Sequence, residues 1–137
     1  MPATVQSYRD LDVWKQAMDL ALEVYRASAC FPPGERFGLA SQVRRAAVSI
    51  PSNIAEGHAR RSRAEFLHHL SIALGSAAEL GTQIELAGRL AYLADDHRRV
   101  LDDRLAVIGR MIHGLRRSLS RVPNPQPPTP NPQRGRP

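Results

Sequence analysis

The sequence predicts an all-α protein built as an up-and-down four-helix bundle. Apolar residues return at spacings of three and four in four separate segments, the period of a helix with one face packed. No segment shows the alternating pattern of a half-buried strand. The stretches between segments are short and carry Pro, Gly, Ser or Asp, so successive helices must run antiparallel to their neighbours. At 137 residues the chain is long enough for one domain with a substantial core. Only 5% of residues are aromatic, so Leu, Ile, Val and Ala must fill that core, with Trp14 as its one large anchor.

The first helix is predicted over about residues 10–29, with Leu11, Trp14, Met18, Ala21 and Tyr25 as its apolar face. Phe31-Pro32-Pro33 ends it, because proline lacks a backbone donor and restricts the residue before it. The second helix opens near Gly34 and closes at Gly57. Leu39, Val43, Ala46, Ile50 and Ile54 form its core stripe. Pro51 lies inside this helix and predicts a kink or a short break. Beside the core stripe runs a polar one, Gln42, Arg45, Ser49, Asn53 and Glu56. Small amides and hydroxyls between charged ends exceed what a solvated surface needs. They predict a hydrogen-bonded seam against another helix or another subunit.

The third helix has the clearest start. Ser62-Arg63-Ala64-Glu65 matches a capping box, Ser62 accepting from the backbone and Glu65 reaching back. Phe66, Leu70, Ala73, Ala77, Leu80, Ile84, Ala87 and Leu90 then continue one face for roughly 45 Å. Gly75, Gly81 and Gly88 sit inside it, each costing about 1 kcal/mol relative to Ala, so this helix depends on packing. The small residues at 73, 77, 81 and 88 would admit a close neighbour. Asp95 or Asp96 is expected to cap the fourth helix. Its face is Val100 or Leu101, then Leu105, Ile108, Ile112, Leu115 and Leu119. Arg116, Arg117 and Arg121 crowd its last turn, where cations suit the helix dipole. From Val122 the chain is Pro-rich without an apolar period, so the bundle is assigned to residues 1–121 and a disordered tail to residues 122–137.

The formal charge is +6, and Lys15 is the single lysine against eighteen arginines. Such a surface favours anionic partners, and the guanidinium fork suits phosphate and carboxylate. Cys30 is the sole cysteine, so no internal disulfide can form. This fits a reducing cytosol, and with no His near it in sequence Cys30 reads as an inert thiol. The opening residues carry no apolar run of a signal peptide. Nothing approaches the roughly 18–20 apolar residues of a membrane span, so a cytoplasmic protein is expected.

Catalytic and metal chemistry have little to stand on. Bundle-type di-iron centres need two Glu-x-x-His units and two further Glu residues. Only Glu65-Phe66-Leu67-His68 is present, and Glu65 is already explained by the cap. Ser49 and Ser76 have no nearby His in sequence, and Glu56 and Glu79 read as ion-pairing residues rather than general bases. No catalytic residue, metal or cofactor is therefore expected. The anion-binding reading is stronger. Arg36, Arg44, Arg60, Arg61 and Arg63 gather around the second helix and its exit, and Arg110, Arg116, Arg117 and Arg121 form a second group. Such groups hold phosphates without reading sequence, and no aromatic platform or groove-reading motif accompanies them. Arg45, on the seam stripe, is expected to pair with Glu56 or with an acidic residue of a partner.

Several stretches resemble a known family. They are Tyr8-Arg9-Asp10-Leu11-Asp12-Val13-Trp14, Phe31-Pro32, Gly38-Leu39 through Gln42-Val43-Arg44-Arg45-Ala46-Ala47, Ser49-Ile50-Pro51-Ser52-Asn53-Ile54-Ala55-Glu56-Gly57 and Ala73-Leu74-Gly75-Ser76-Ala77-Ala78-Glu79-Leu80. Together they resemble the four-helix bundle proteins of intervening sequences in bacterial 23S ribosomal RNA genes, also labelled S23 ribosomal protein. That family is related to the accessory variability determinant of diversity-generating retroelements. The resemblance covers about residues 8–120. It implies a four-helix protomer in a ring-shaped homopentamer and, by analogy with the retroelement relatives, binding to nucleic acid and to a reverse transcriptase. No fixed site motif carries over. The combined expectation is a non-enzymatic oligomer that binds nucleic acid, structured RNA above all, through its Arg-rich surface, with a protein-interaction scaffold as the rival reading.

Overall fold

The computed structural model describes residues 7–121, and every regular element among them is helical. Four long helices follow in order: α1 (Asp12–Ser28), α2 (Leu39–Ala59), α3 (Arg63–Arg89) and α4 (Asp95–Arg121), with short 3-10 turns at Tyr8–Asp10 and Pro33–Glu35. Each helix packs on the two beside it and none on the one diagonally opposite, the up-and-down bundle that short connections dictate. The expected tail falls outside the described residues.

The core is aliphatic. Leu20, Ile50, Ile54, Leu70, Leu80, Ile84, Leu101, Ile108 and Ile112 are sealed from solvent, each stabilising the fold by about 1.5–3 kcal/mol. On α4 the face turns on Leu101, while Val100 points outward. The α3 stripe is buried as its spacing predicts from Phe66 to Ala87, but Leu90 is exposed.

Helix α1 corrects the sequence reading. Its buried row is Val13, Ala17, Leu20, Ala21, Val24 and Ala27, whereas Met18 and Tyr25 are exposed and Trp14 is only half-buried, edge-on to Tyr8 with ring centroids 5.3 Å apart. Two apolar rows share this helix, and the one with more small residues faces inward, since alanines let helix axes approach. Trp14 is therefore a shoulder residue rather than the core's anchor. Pro51 does not break α2, which continues to Ala59 with Pro51 buried inside it. Only the Ala47 carbonyl loses its helical donor there. Asp95 is already the first residue of α4, and the Ala94 carbonyl before it accepts the Arg98 N–H at 2.9 Å. Asp95 and Asp96 thus sit in the first turn, where their charge complements the dipole, not at the cap.

The α2–α3 pairing is the tightest. A Cβ built on Gly57 would lie 2.6 Å from His69 Cβ, so only glycine permits this approach. The connection is correspondingly short: Arg61 takes a left-handed φ of 58°, and Ser62 Oγ accepts the Glu65 N–H at 3.3 Å, the forward half of the expected capping box. Helix α4 nests against α3 at Gly81 and Gly88, where an added Cβ would meet Leu105 and Arg98, while Gly75 faces open space. Helix α3 ends in a Schellman arrangement, Tyr92 N–H to Ala87 O at 2.9 Å and Ala91 N–H to Gly88 O at 3.0 Å, with Ala91 at φ 61° where glycine is usual. Tyr92 then locks this pole. Its ring meets Phe31 at 5.5 Å, and a hydrogen bond to Glu35 raises its phenol pKa, helped by burial. Glu35 Oε1 also accepts the Leu39 N–H at 3.4 Å, capping α2.

Candidate nucleic-acid interface

Antiparallel winding brings the end of α2, the start of α3 and the end of α4 to one pole of the bundle. A concave surface there is lined by Gly57, His58, Arg61, Ser62, Arg63 and Phe66 from the α2–α3 connection and by Leu119 from α4. A second hollow on α4 is lined by His113, Arg116, Arg117, Ser120 and Arg121. The two arginine groups, fifty residues apart in sequence, therefore meet at one end of the molecule. No Asp or Glu follows Asp103 in the chain, so the closing half of α4 is purely cationic.

Within this pole the arginines differ. Arg60 is exposed and bonded to Glu56 at 3.0 Å. That hydrogen bond, with the Glu65 carboxylate nearby, raises its pKa further and holds it charged. Arg61 is exposed at the left-handed turn, and Arg63 opens α3 half-buried. Arg116 is half-buried, and its Nε is enclosed with no hydrogen-bond acceptor in reach. Arg117 and Arg121 project to solvent. The first-turn amides of α3 add a local preference for anions.

Three candidates lie elsewhere. Arg36 sits at the opposite pole, its guanidinium 5.3 Å from the Phe37 ring. Arg44 is a structural tie: Nε donates to Ser28 Oγ at 2.7 Å, Nη2 donates to the Tyr25 carbonyl at 3.3 Å, and the group covers the Tyr25 ring at 4.7 Å. It closes the C-terminal end of α1 and leaves the basic face. Arg110 is exposed on α4, about 9 Å along the helix from Arg116.

The polar seam forms inside the protomer, between α2 and α3. Ser49 Oγ lies 2.7 Å from Ser76 Oγ, Asn53 Nδ2 donates to Ser49 Oγ at 3.1 Å and to the Ser49 carbonyl at 2.8 Å, and Asn53 Oδ1 meets His69 Nδ1 at 3.2 Å. Gln42, Arg45 and Glu56 are exposed and stand outside this network, Glu56 serving Arg60 instead. Ser76 and His69, seven apart on α3, are the partners that a reading of α2 alone could not supply. The Asn53 amide separates the imidazole from both hydroxyls, so the cluster holds no nucleophile–base pair. Among the described residues no three His, Cys, Asp or Glu side chains gather as metal ligands. Cys30 is exposed. No helix among these residues is long and apolar enough to cross a membrane.

The family model described as 23S rRNA-intervening sequence protein matches residues 9–114. The chain belongs to this family. The match to the intervening-sequence proteins runs from the turn before α1 into α4 and stops short of Arg116, Arg117 and Arg121, so half of the basic pole lies beyond the matched region. Among solved structures, this intervening-sequence protein is similar to a protein of unknown function from the S23 ribosomal protein family of Bacteroides thetaiotaomicron VPI-5482. The two share 24% identity and a TM-score of 0.72, covering 77% of this chain and 95% of that one. At this identity the likeness speaks for the fold. No curated protein matches the chain.

Proposed function

We propose that this intervening-sequence protein is a non-enzymatic, oligomeric module that binds structured RNA through phosphate contacts at its basic pole. The carrying observation is the meeting of Arg60, Arg61 and Arg63 with Arg116, Arg117 and Arg121 at one end of the bundle. Guanidinium groups on three elements of a rigid scaffold can follow a phosphate backbone without reading bases. Ring assembly, as a homopentamer, would repeat the pole around an axis and turn weak patches into an avid surface.

A titration against structured RNA and duplex DNA at several salt concentrations tests this. Affinity should fall steeply with salt, with a slope of about 0.9 per phosphate contact for a duplex. Reversing Arg60, Arg61 and Arg63 to Glu, or Arg116, Arg117 and Arg121 to Glu, should each lower affinity and flatten the slope while the oligomer persists. No binding at low salt, or unchanged affinity in both variants, refutes the reading. A second reading, a scaffold for a protein such as a reverse transcriptase, is favoured by the exposed apolar groove between α1 and α2. Co-purification of that partner after nuclease treatment, with no RNA affinity, would support it instead.

A further inference from the structure

Helices α1 and α2 leave between them an open apolar groove of about 450 Å³, walled by Tyr8, Trp14, Met18, Tyr25, Val48 and Pro51. Met18 is 38%, Val48 41% and Tyr25 45% exposed. A contiguous apolar patch on a charged protein marks a surface that something covers. Its chemistry is specific, because an apolar trough with Tyr and Trp walls suits proline rings, as in grooves that hold polyproline II strands.

The sequence itself holds a segment of matching composition. Residues 122–137, outside the described residues, hold prolines at 123, 125, 127, 128, 130, 132 and 137. Pro127 and Pro130 are three apart, the repeat that puts both rings on one side of a polyproline II helix. The segment continues from Arg121, at the end of α4. Helix α4 packs beside α1, and this pole is also where α1 begins, next to Tyr8. The groove lies about one and a half helix spacings from α4, about 15 Å, or about five residues at about 3.1 Å each. Trp14 to Tyr25 spans about 16 Å of helix, roughly five more residues of extended proline. Sixteen residues are available.

We propose that residues 122–137 dock in the Tyr8–Trp14–Tyr25 groove of their own chain as a polyproline II strand. This stands independently of the RNA reading and competes with the scaffold reading for the same groove.

Trp14 is the only tryptophan, so iodide quenching of tryptophan fluorescence reports directly on the groove. The experiment compares the full chain with a full-length variant carrying Pro127→Ser, Pro128→Ser and Pro130→Ser, whose substitutions lie outside the bundle and leave its helicity unchanged. Quenching should be several-fold stronger in the variant, and the wild-type protection should not depend on protein concentration. A peptide of residues 122–137 should restore protection to the variant at about millimolar concentration, the effective concentration that a short tether provides. Equal quenching of both proteins overturns the proposal, whether Trp14 is open or shielded in both. So does protection that grows with protein concentration, which would assign the groove to a second copy, or a peptide that restores nothing.

Discussion

Substituting Gly57→Ala should destabilise the bundle, whereas Gly75→Ala should stabilise it. The two glycines lie on paired helices and gain the same methyl group. At Gly57 the new carbon would lie 2.6 Å from His69 Cβ, 3.2 Å from Phe66 Cδ1 and 3.3 Å from His69 Cγ. Carbon atoms rest at about 3.5–4.0 Å, so the closest contact is about 1 Å too short. His69 Cβ is anchored to the α3 backbone and cannot swing aside, so the helices must part. With a 2.6 Å contact to a Cβ fixed on the neighbouring backbone, the overpacking cost lies in the upper part of the usual range, about 2–3 kcal/mol, and the helix preference of Ala over Gly returns about 1 kcal/mol, leaving a net loss of about 1–2 kcal/mol. Displacing His69 also strains its 3.2 Å contact with Asn53. At Gly75 nothing lies within 4 Å, so only the helix preference remains, a gain of about 0.5–1 kcal/mol. Urea unfolding followed by helical circular dichroism measures both, provided the denaturant slope stays at its wild-type value. A Gly57→Ala protein as stable as wild type would refute the close α2–α3 approach. A destabilised Gly75→Ala protein would refute the open surface at that position.

Three further substitutions probe other joints. Asn53→Leu removes the link between Ser49 and His69 and should cost about 1 kcal/mol, the lower end for a lost partly buried hydrogen bond. A urea midpoint equal to wild type would show the seam to be idle. Arg44→Lys keeps the charge but loses the fork that reaches both Ser28 Oγ and the Tyr25 carbonyl, so it should lower stability by about 1 kcal/mol without changing RNA affinity; reduced affinity at unchanged stability would return Arg44 to the binding face. Ala91→Gly should raise stability by about 0.5–1 kcal/mol, since a left-handed residue without a Cβ is unstrained, and a lower thermal midpoint would contradict the φ of 61° assigned there.

The helices were legible because their core stripes are periodic over many turns: Leu39 to Ile54 on α2 and Phe66 to Ala87 on α3 are buried as their spacing requires. Helix α1 misleads because its larger apolar residues, Trp14, Met18 and Tyr25, occupy one shoulder while Ala17, Leu20 and Val24 face inward. Periodicity locates an apolar row but does not say which of two rows a neighbour covers. The seam shows the same limit. Ser49 and Asn53 share their stripe with Gln42 and Glu56, and only the first two find Ser76 and His69 on α3. The basic pole could not be read locally either, because its halves meet only through the antiparallel return of α4. Arg44 looks like any surface arginine until the end of α1 is seen to lie beneath it.

Helix α4 mixes acids and bases in its first half, Asp95, Asp96, Asp102 and Asp103 against Arg98, Arg99 and Arg104, and ends among Arg116, Arg117 and Arg121 with no acid beside them. Its positive charge is thus concentrated at one end. In the proposed ring every copy's cationic end would stand at the same height and radius, so the subunits would repel one another there. A polyanion laid across these ends would cancel that repulsion. Salt should therefore act in opposite directions on the two steps, favouring closure of an empty ring and opposing capture of the nucleic acid. By thermodynamic reciprocity, a nucleic acid that favours the closed ring must itself be bound more tightly by closed rings than by separate protomers.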